Sequence, residues 1–169
     1  MIEVVPYDPD WPRQFEAERE LLEQVLEPWL SAGIHHVGST AIPGIAAKPI
    51  VDMMAGIRDL EEARAAYPRL AEVGYVDAPH RPGIAHHFAK PSQEHARLGL
   101  HLTEPGSDLW RERLVFRDAL RADPTLAAEY EALKLRLAHD AAELAAYGAG
   151  KRAFVGRVLE AHGLTFGRR

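Results

Sequence analysis

Apolar positions recur with helical spacing along parts of this chain, and short apolar runs bounded by turn residues lie between those parts. After Asp10, with Pro12 in the first turn, apolar residues recur every three or four positions, which predicts an amphipathic helix. We expect this helix to end near Gly33. A second helix is predicted from Asp59, its capping residue, to Gly74, a typical C-terminal stop.

Short apolar and β-branched runs bounded by Gly and Pro predict the strands. The first two long runs flank a loop rich in Pro and Gly, and the last two are expected to form an antiparallel hairpin. The predicted strands cover 34–37, 50–57, 75–76, 84–89 and 97–103, with an edge strand or extended segment at 2–5.

From Ser107 onward the pattern is helical, and Asp123-Pro124 and Gly148-Gly150 divide it into helices over about 107–122, 124–146 and 149–162. The order of elements contains too few βαβ units for a doubly wound sheet. We therefore expect an α/β (α+β) fold, a mixed β-sheet with helices on one face and a helical C-terminal part. A single domain is predicted over 1–169, with its core in about 1–104 and its tail in about 105–169.

Composition narrows the class of protein further. The 47% hydrophobic and 27% charged residues are typical of a soluble globular domain. A net charge of −5 argues against broad nucleic-acid binding, and the absence of cysteine excludes disulfides and thiolate metal sites. Early acidic residues argue against a signal peptide, and no apolar run suits a membrane span. We expect a cytoplasmic protein with no membrane partner.

The candidate chemistry lies in the stretch HVGSTAIPGIAAKPIVD, residues 36–52. It contains a Gly38-Ser39 turn after a strand, a loop with Lys48, and a second strand that bears Asp52. Small residues let backbone N–H groups approach anionic oxygens, lysine supplies a cation, and a carboxylate is a hard metal ligand, so the combination suits a metal-bound phosphate. The alternative is a tight structural turn. A P-loop is excluded because Lys48 does not directly follow Gly44 and no Ser or Thr follows the lysine.

Two polar residues interrupt otherwise apolar strands. Asp52 would be costly to bury without a partner, so we expect Lys48 or a metal beside it; a structural ion pair or a strand end facing water are the alternatives. His101 lies among leucines and must also find a polar partner. Zinc is disfavoured, because no His-x₃-His pair exists and the adjacent His86 and His87 point to opposite faces of a strand.

The stretch 36–52 resembles the signature of the GrpB family of the nucleotidyltransferase superfamily. The resemblance extends over essentially the whole chain. It continues through 7–12, 15–18, 88–90, 97–101, 104–107 with Trp110, 116–118, Tyr130, 133–134, Tyr147, Lys151 and Phe154.

This resemblance implies a nucleotidyltransferase-type fold and a metal-dependent transfer of a nucleotidyl group from an NTP to a small acceptor. The implied partner is a nucleotide or a nucleotide-containing small molecule. Asp52 and His101 are the implied catalytic residues, and Asp52, His101 and Glu104 the implied ligands of Mg²⁺. The implied phosphate-binding residues are Gly38, Ser39, Thr40, Lys48, Arg97 and Lys151.

Two departures from the pattern support other hypotheses. Superfamily enzymes place two acids two residues apart, but here Met54 follows Asp52 in that position. Gly99 stands where relatives often have the first histidine of His-x-His. The second hypothesis is therefore a non-catalytic nucleotide- or cofactor-binding module, and the third a structural or protein-interaction domain. The family domain is also found fused to dephospho-CoA kinase, which associates it with coenzyme A or nucleotide metabolism.

Overall fold

The computed structural model describes residues 2–140 and 144–165, and a five-stranded mixed sheet lies at its centre. The strands are β1 (Leu30–Val37), β2 (Val51–Ile57), β3 (Val76–Asp77), β4 (Ala85–Lys90) and β5 (Leu98–Thr103). The helices are α1 (Trp11–Leu26), α2 (Tyr67–Glu72), α3 (Asp108–Ala122), α4 (Pro124–Asp140) and α5 (Leu144–Ala161). The α/β fold class predicted from the sequence is confirmed.

Strand order in the sheet is β1-β2-β5-β4-β3. β2 and β5 are parallel, whereas the other neighbouring strands are antiparallel. The predicted hairpin is confirmed as β4 and β5, with His87 opposite His101. Residues paired in this way project to the same face, so Asp52, Gly99, His101 and His87 share one face of the sheet.

The N-terminal helices cover the other face. The apolar stripe of α1 packs with the apolar face of the sheet and with α2 in one cluster. Burial of each large side chain in this cluster contributes about 1.5–3 kcal/mol. The cluster includes Trp11, Phe15, Leu22, Leu26, Met53, Ala55, Leu70, Leu100 and Leu102.

The helical C-terminal part packs on the face that bears Asp52. Leu109 of α3 is fully buried against Val37, Met54 and Ala85. Further along, α3, α4 and α5 enclose the loop residues Ile42 and Ile45 in a separate apolar cluster with Tyr130 and Phe154. The C-terminal helices therefore lie over the Gly38 turn and the loop that follows it.

Several predicted boundaries differ from the structure. The helix predicted from Asp59 begins as a 3-10 helix, Glu62–Ala66, and α2 starts only at Tyr67. The helix predicted to end near Gly33 ends at Leu26, and Gly33 lies inside β1 with φ of 73°, where the register with β2 shifts. Gly148 and Gly150 do not separate two helices but lie within α5. Gly150 lets α5 approach α4 closely, since a Cβ atom there would lie 2.7 Å from the Leu137 methyl carbons. The predicted junction near 146–149 also borders residues 141–143, which are outside the described residues.

In the described ranges no helix combines the length and the hydropathy that a membrane span requires.

Candidate functional site

The Gly38-Ser39 turn is built by backbone geometry and by a buried threonine. Gly38, which follows β1, has φ of 76°, and a single 3-10 turn spans Ser39–Ala41. The Thr40 hydroxyl donates to the Ile50 carbonyl at 3.3 Å and accepts from His36 Nε2 at 2.9 Å. Thr40 is only 2% exposed, so its hydroxyl holds the turn to β2 and does not face a ligand.

Two arginines of α3 fix the same turn from outside. Arg121 Nε donates to the Ala41 carbonyl at 2.8 Å, and Arg117 Nη1 donates to the His36 carbonyl at 3.3 Å. A cavity of about 480 Å³ opens on this side, between α1, β1 and α3. Its lining includes Phe15 and both arginines but not Asp52, so this cavity is separate from the carboxylate on β2.

Asp52 is half-buried at the start of β2, between two glycines. Its Oδ2 lies 2.9 Å from the point where a Cβ atom of residue 38 would stand, and its Oδ1 lies 2.5 Å from the same point at residue 99. Burial raises the pKa of Asp52, while the neighbouring Arg113, His87, Lys151 and Lys48 oppose that shift. No ion-pair partner lies within 4 Å of this carboxylate among the described residues. Both glycines are thus required for the carboxylate to reach the turn.

Lys48 and Lys151 converge on the ring of Tyr147. Their Nζ atoms lie 5.8 and 4.8 Å from the ring centroid. Burial, and next the charge of Lys48, lower the pKa of Lys151 to about 8, whereas Asp52 opposes the shift. With Arg113 of α3, three cations act on one carboxylate, which gives this face the excess positive charge that a polyphosphate would neutralise.

His101 belongs to a group of three imidazoles beside Asp52. Its ring stacks on that of His87 with centroids 4.3 Å apart, and the exposed His80 lies next to both. Burial lowers the pKa of His101 well below its ordinary value, with contributions from Arg113 and His87, so the imidazole is neutral at neutral pH. Its Nδ1 is buried and has no hydrogen-bond partner in the part of the chain that the structure describes.

The remaining two site residues predicted from the sequence lie at opposite ends of β5. Arg97 precedes the strand on the side of Gly99, and its side chain is exposed. Glu104 follows the strand, where its carboxylate accepts the Leu60 N–H at 3.0 Å. Glu104 lies five positions after Gly99 along extended chain, roughly 16 Å at about 3.3 Å per residue. The structure therefore does not bring Glu104 to Asp52.

Within residues 2–140 and 144–165, no group of three or more His, Cys, Asp or Glu side chains is arranged to hold a metal ion. A metal bound at Asp52 would need water or substrate oxygens for most of its ligands.

Four residues near Asp52 were not predicted as site residues from the sequence: Arg113, His87, Tyr130 and Tyr147. His87 could have been found from the hairpin register, which places it opposite His101 on the Asp52 face. Tyr130 lies in the apolar cluster around Ile42, where burial raises the pKa of its hydroxyl and the Ser39 side chain opposes the rise. Arg113 and Tyr147 lie on helices whose packing over the sheet has no local signal.

Comparison with known proteins gives a family match over nearly the full chain. The family model described as "GrpB protein" matches residues 1–161. A UPF0157 protein of Deinococcus radiodurans is 37% identical over 94% of this chain and 81% of its own length. UPF0157 protein YqkA of Bacillus subtilis is 37% identical over 81% of this chain, but the match spans only 40% of YqkA. A dephospho-CoA kinase of Mycolicibacterium paratuberculosis is 31% identical over 79% of this chain and 39% of its own length.

Solved structures agree on the fold. GrpB from Enterococcus faecalis superposes with a TM-score of 0.82 at 25% identity, covering 96% of this chain and all of that one. GLD-2 in complex with RNP-8 gives 0.60 at 10% identity, over 89% of this chain and 60% of that one. Cid1 in complex with its short product ApU gives a TM-score of 0.53 at 16% identity, over 80% of this chain and 42% of that one. Identities this low in the last two show the fold alone, and the predicted nucleotidyltransferase fold is confirmed.

Proposed function

Because this chain belongs to the GrpB family and has the nucleotidyltransferase fold, we propose that it binds a nucleoside triphosphate and transfers the nucleotidyl group to the hydroxyl of a small acceptor, with release of pyrophosphate. The phosphates would lie against the backbone of Gly38 and Ser39, beside Lys48 and Lys151. Asp52 would hold a divalent cation that the reaction requires.

One observation supports this proposal above the others. Asp52 lies half-buried next to a glycine turn, its burial disfavours the charged form, and the cations of Lys48, Lys151 and Arg113 surround it. A fold gains nothing in stability from a carboxylate held at such a cost, so the arrangement is typical of a binding or catalytic site. The excess positive charge specifies an anionic ligand.

The donor set fits Mg²⁺. Mg²⁺ in proteins is often bound by one or two carboxylates together with substrate phosphates and water, and Asp52 supplies one carboxylate with no ion-pair partner in the described residues. When bound, the ion would neutralise phosphate charge. Lys48, Lys151 and Arg97 would add positive charge around the phosphates, and the Ser39 backbone would donate to their oxygens.

His101 enters the proposal as the base for the acceptor hydroxyl. Its depressed pKa keeps the imidazole neutral, as a proton acceptor requires, and its Nδ1 has no partner among the described residues. Glu104 is not part of the proposal, because it lies at the other end of β5.

A non-catalytic nucleotide- or cofactor-binding module is the second candidate. Met54 and Gly99, the positions nearest Asp52 on this face, provide no second acid for a two-metal reaction. The likeness to a dephospho-CoA kinase adds coenzyme A precursors to the ligands worth testing.

Thermal unfolding with a panel of nucleotides and coenzyme A precursors, each with Mg²⁺ or EDTA, tests both candidates. A ligand at about 100 times its Kd stabilises the native state by about 2.7 kcal/mol, so no knowledge of the reaction is needed. Wild type is compared with Asp52→Asn and with Glu94→Gln, a control at an exposed carboxylate in the β4–β5 loop.

A Mg²⁺-dependent shift that Asp52→Asn loses and Glu94→Gln keeps, followed by turnover of that NTP, is the expected result. If a ligand shifts the unfolding midpoint equally with Mg²⁺ and with EDTA, and equally in wild type and Asp52→Asn, and no turnover is found, the binding module is supported instead. If no ligand shifts the unfolding midpoint, both candidates fail and a structural or protein-interaction domain is left.

A further inference from the structure

The missing side chain of residue 99 leaves a space that two polar groups share. Asp52 Oδ1 and His87 Nε2 lie 2.5 and 3.7 Å from the point where a Cβ atom at Gly99 would stand. They come from β2 and β4, the two strands that flank β5. Ala89, the partner of Gly99 on β4, is also small, so nothing larger than a methyl group stands in this row between the carboxylate and the imidazole.

The hydrogen bonding of His87 fixes which ring nitrogen faces that space. His87 Nδ1 lies 2.6 Å from the Ala78 carbonyl oxygen, and because a carbonyl only accepts, Nδ1 carries the proton. With Nδ1 as the donor, Nε2 is the nitrogen that can offer a lone pair, and it faces Gly99. Stacking on His101 at 4.3 Å between centroids holds the plane of the ring. A histidine whose other nitrogen donates to a backbone carbonyl is the usual arrangement of a metal-bound imidazole.

We infer that Asp52 and His87 together form the protein part of a divalent-cation site, with water and phosphate oxygens completing the coordination. The inference rests on the proposed function for the phosphates, but the pair itself follows from the contacts around Gly99. It assigns the second ligand to β4 instead of to His101 or Glu104. His101 is not a ligand in this arrangement, although its ring stacks on that of His87 and supports it.

A mixed carboxylate and imidazole pair changes which cation is preferred. Imidazole nitrogen suits first-row transition metals, whereas Mg²⁺ prefers oxygen ligands alone. We therefore expect Mn²⁺ to bind more tightly than Mg²⁺, and Mn²⁺ also provides a spectroscopic probe.

Electron paramagnetic resonance of Mn²⁺ added to the full chain tests the assignment without any assay of turnover. The titration gives the affinity, and electron spin-echo modulation detects a coordinated ¹⁴N nucleus. The test variant is His87→Phe, which keeps an aromatic ring to stack on His101 but removes the nitrogen. His80→Phe is the matched control, because His80 is the neighbouring exposed imidazole. Circular dichroism and thermal unfolding first establish that both variants fold.

The expected result is a ¹⁴N coupling in wild type that His87→Phe loses and His80→Phe keeps, with Mn²⁺ binding weakened about tenfold or more in His87→Phe. Asp52→Asn should also weaken binding. The inference is overturned if Mn²⁺ does not bind, if bound Mn²⁺ shows no ¹⁴N coupling, or if the coupling persists in His87→Phe. If nucleotide with Mg²⁺ still raises the unfolding temperature of His87→Phe, the proposed function stands while this inference fails.

Discussion

Asp52 and Gly99 face each other across the parallel strands β2 and β5, and the carboxylate of the first fills the space that a side chain on the second would need. A side chain at residue 99 would therefore change the orientation of the Asp52 carboxylate and not the fold. A Cβ atom there would overlap a carboxylate oxygen, which can rotate away, and not a strand backbone.

Gly99→Ala should therefore leave the protein folded but displace the Asp52 carboxylate. We expect the nucleotide-dependent rise in unfolding temperature to disappear, with only a small change in the stability of the free protein. Gly148→Ala is the control, since a Cβ atom there meets nothing within 4 Å and alanine favours a helix by up to about 1 kcal/mol. If Gly99→Ala binds nucleotide as wild type does, the position of Asp52 does not matter for binding.

Asp52→Asn is expected to raise the stability of the free protein while it abolishes nucleotide binding. Burial raises the pKa of Asp52, so the folded state disfavours the ionised form at neutral pH, and a neutral amide removes that cost. The stabilisation should be present at pH 7 and shrink as the pH falls towards the ordinary carboxyl pKa. Urea unfolding at pH 7 and at a pH near the ordinary carboxyl pKa measures the difference in stability between Asp52→Asn and wild type. A variant less stable than wild type at pH 7 would show that the carboxylate has a structural role.

Nucleotide affinity should fall as the pH rises from 7 to 9. The pKa of Lys151 is lowered to about 8, so the free site loses this positive charge across that range. Lys151→Arg should remove the dependence, because guanidinium stays charged. Arg152→Gln, at the exposed neighbour, should behave as wild type does. Calorimetric titration at several pH values checks this, and an identical pH dependence in wild type and Lys151→Arg would exclude Lys151 as its source.

Local patterns in the sequence were sufficient for the sheet and for the Asp52 turn. Short apolar and β-branched runs bounded by Gly and Pro predicted the strands, and the residue types within 36–52 drew attention to Gly38, Ser39, Lys48 and Asp52. The residues that indicate the site all lie within the short segment 36–52. The pairing of β2 with β5 then places Gly99 opposite Asp52.

The rest of the site depends on contacts between distant segments. Arg113 and Tyr147 reach Asp52 and Lys151 only because α3 and α5 pack over the same face, and helical periodicity gives no information on that packing. For Thr40, the tertiary contacts argue against the role that its residue type suggests. It suits a phosphate site by residue type, but its hydroxyl is bonded to Ile50 and His36, which only tertiary structure reveals.

Arg121→Met should loosen the Ser39–Ala41 turn without unfolding the protein. It removes the hydrogen bond to the Ala41 carbonyl, a loss of about 0.5–1.5 kcal/mol. We expect faster hydrogen exchange at the amides of Ala41 and Ile42, which close the 3-10 turn, and weaker nucleotide binding. Arg111→Met, on the same helix and paired with Asp108 at the surface, should change neither. Unchanged exchange in Arg121→Met would show that the turn holds its shape unaided.

His36 should make the protein less stable in mild acid. Burial, then the charges of Arg121 and Arg117, lower its pKa from 6.5 to about 4. Below pH 6.5 His36 therefore binds a proton in the unfolded state but not in the folded state, and the free energy of unfolding falls until the pH reaches about 4. At pH 5 the loss relative to pH 7 is about 2 kcal/mol for this group alone, by linkage.

His36→Gln isolates this contribution, since Gln can donate an amide N–H to Thr40 in place of Nε2 but does not titrate. Urea unfolding at pH 7 and pH 5 should show a smaller loss in His36→Gln than in wild type, and His95→Gln, in the exposed β4–β5 loop, should lose as much as wild type does. Comparing the two pH values within each variant cancels the cost of losing the stack of His36 on Phe15. Equal losses in wild type and His36→Gln would mean that other groups account for the acid sensitivity.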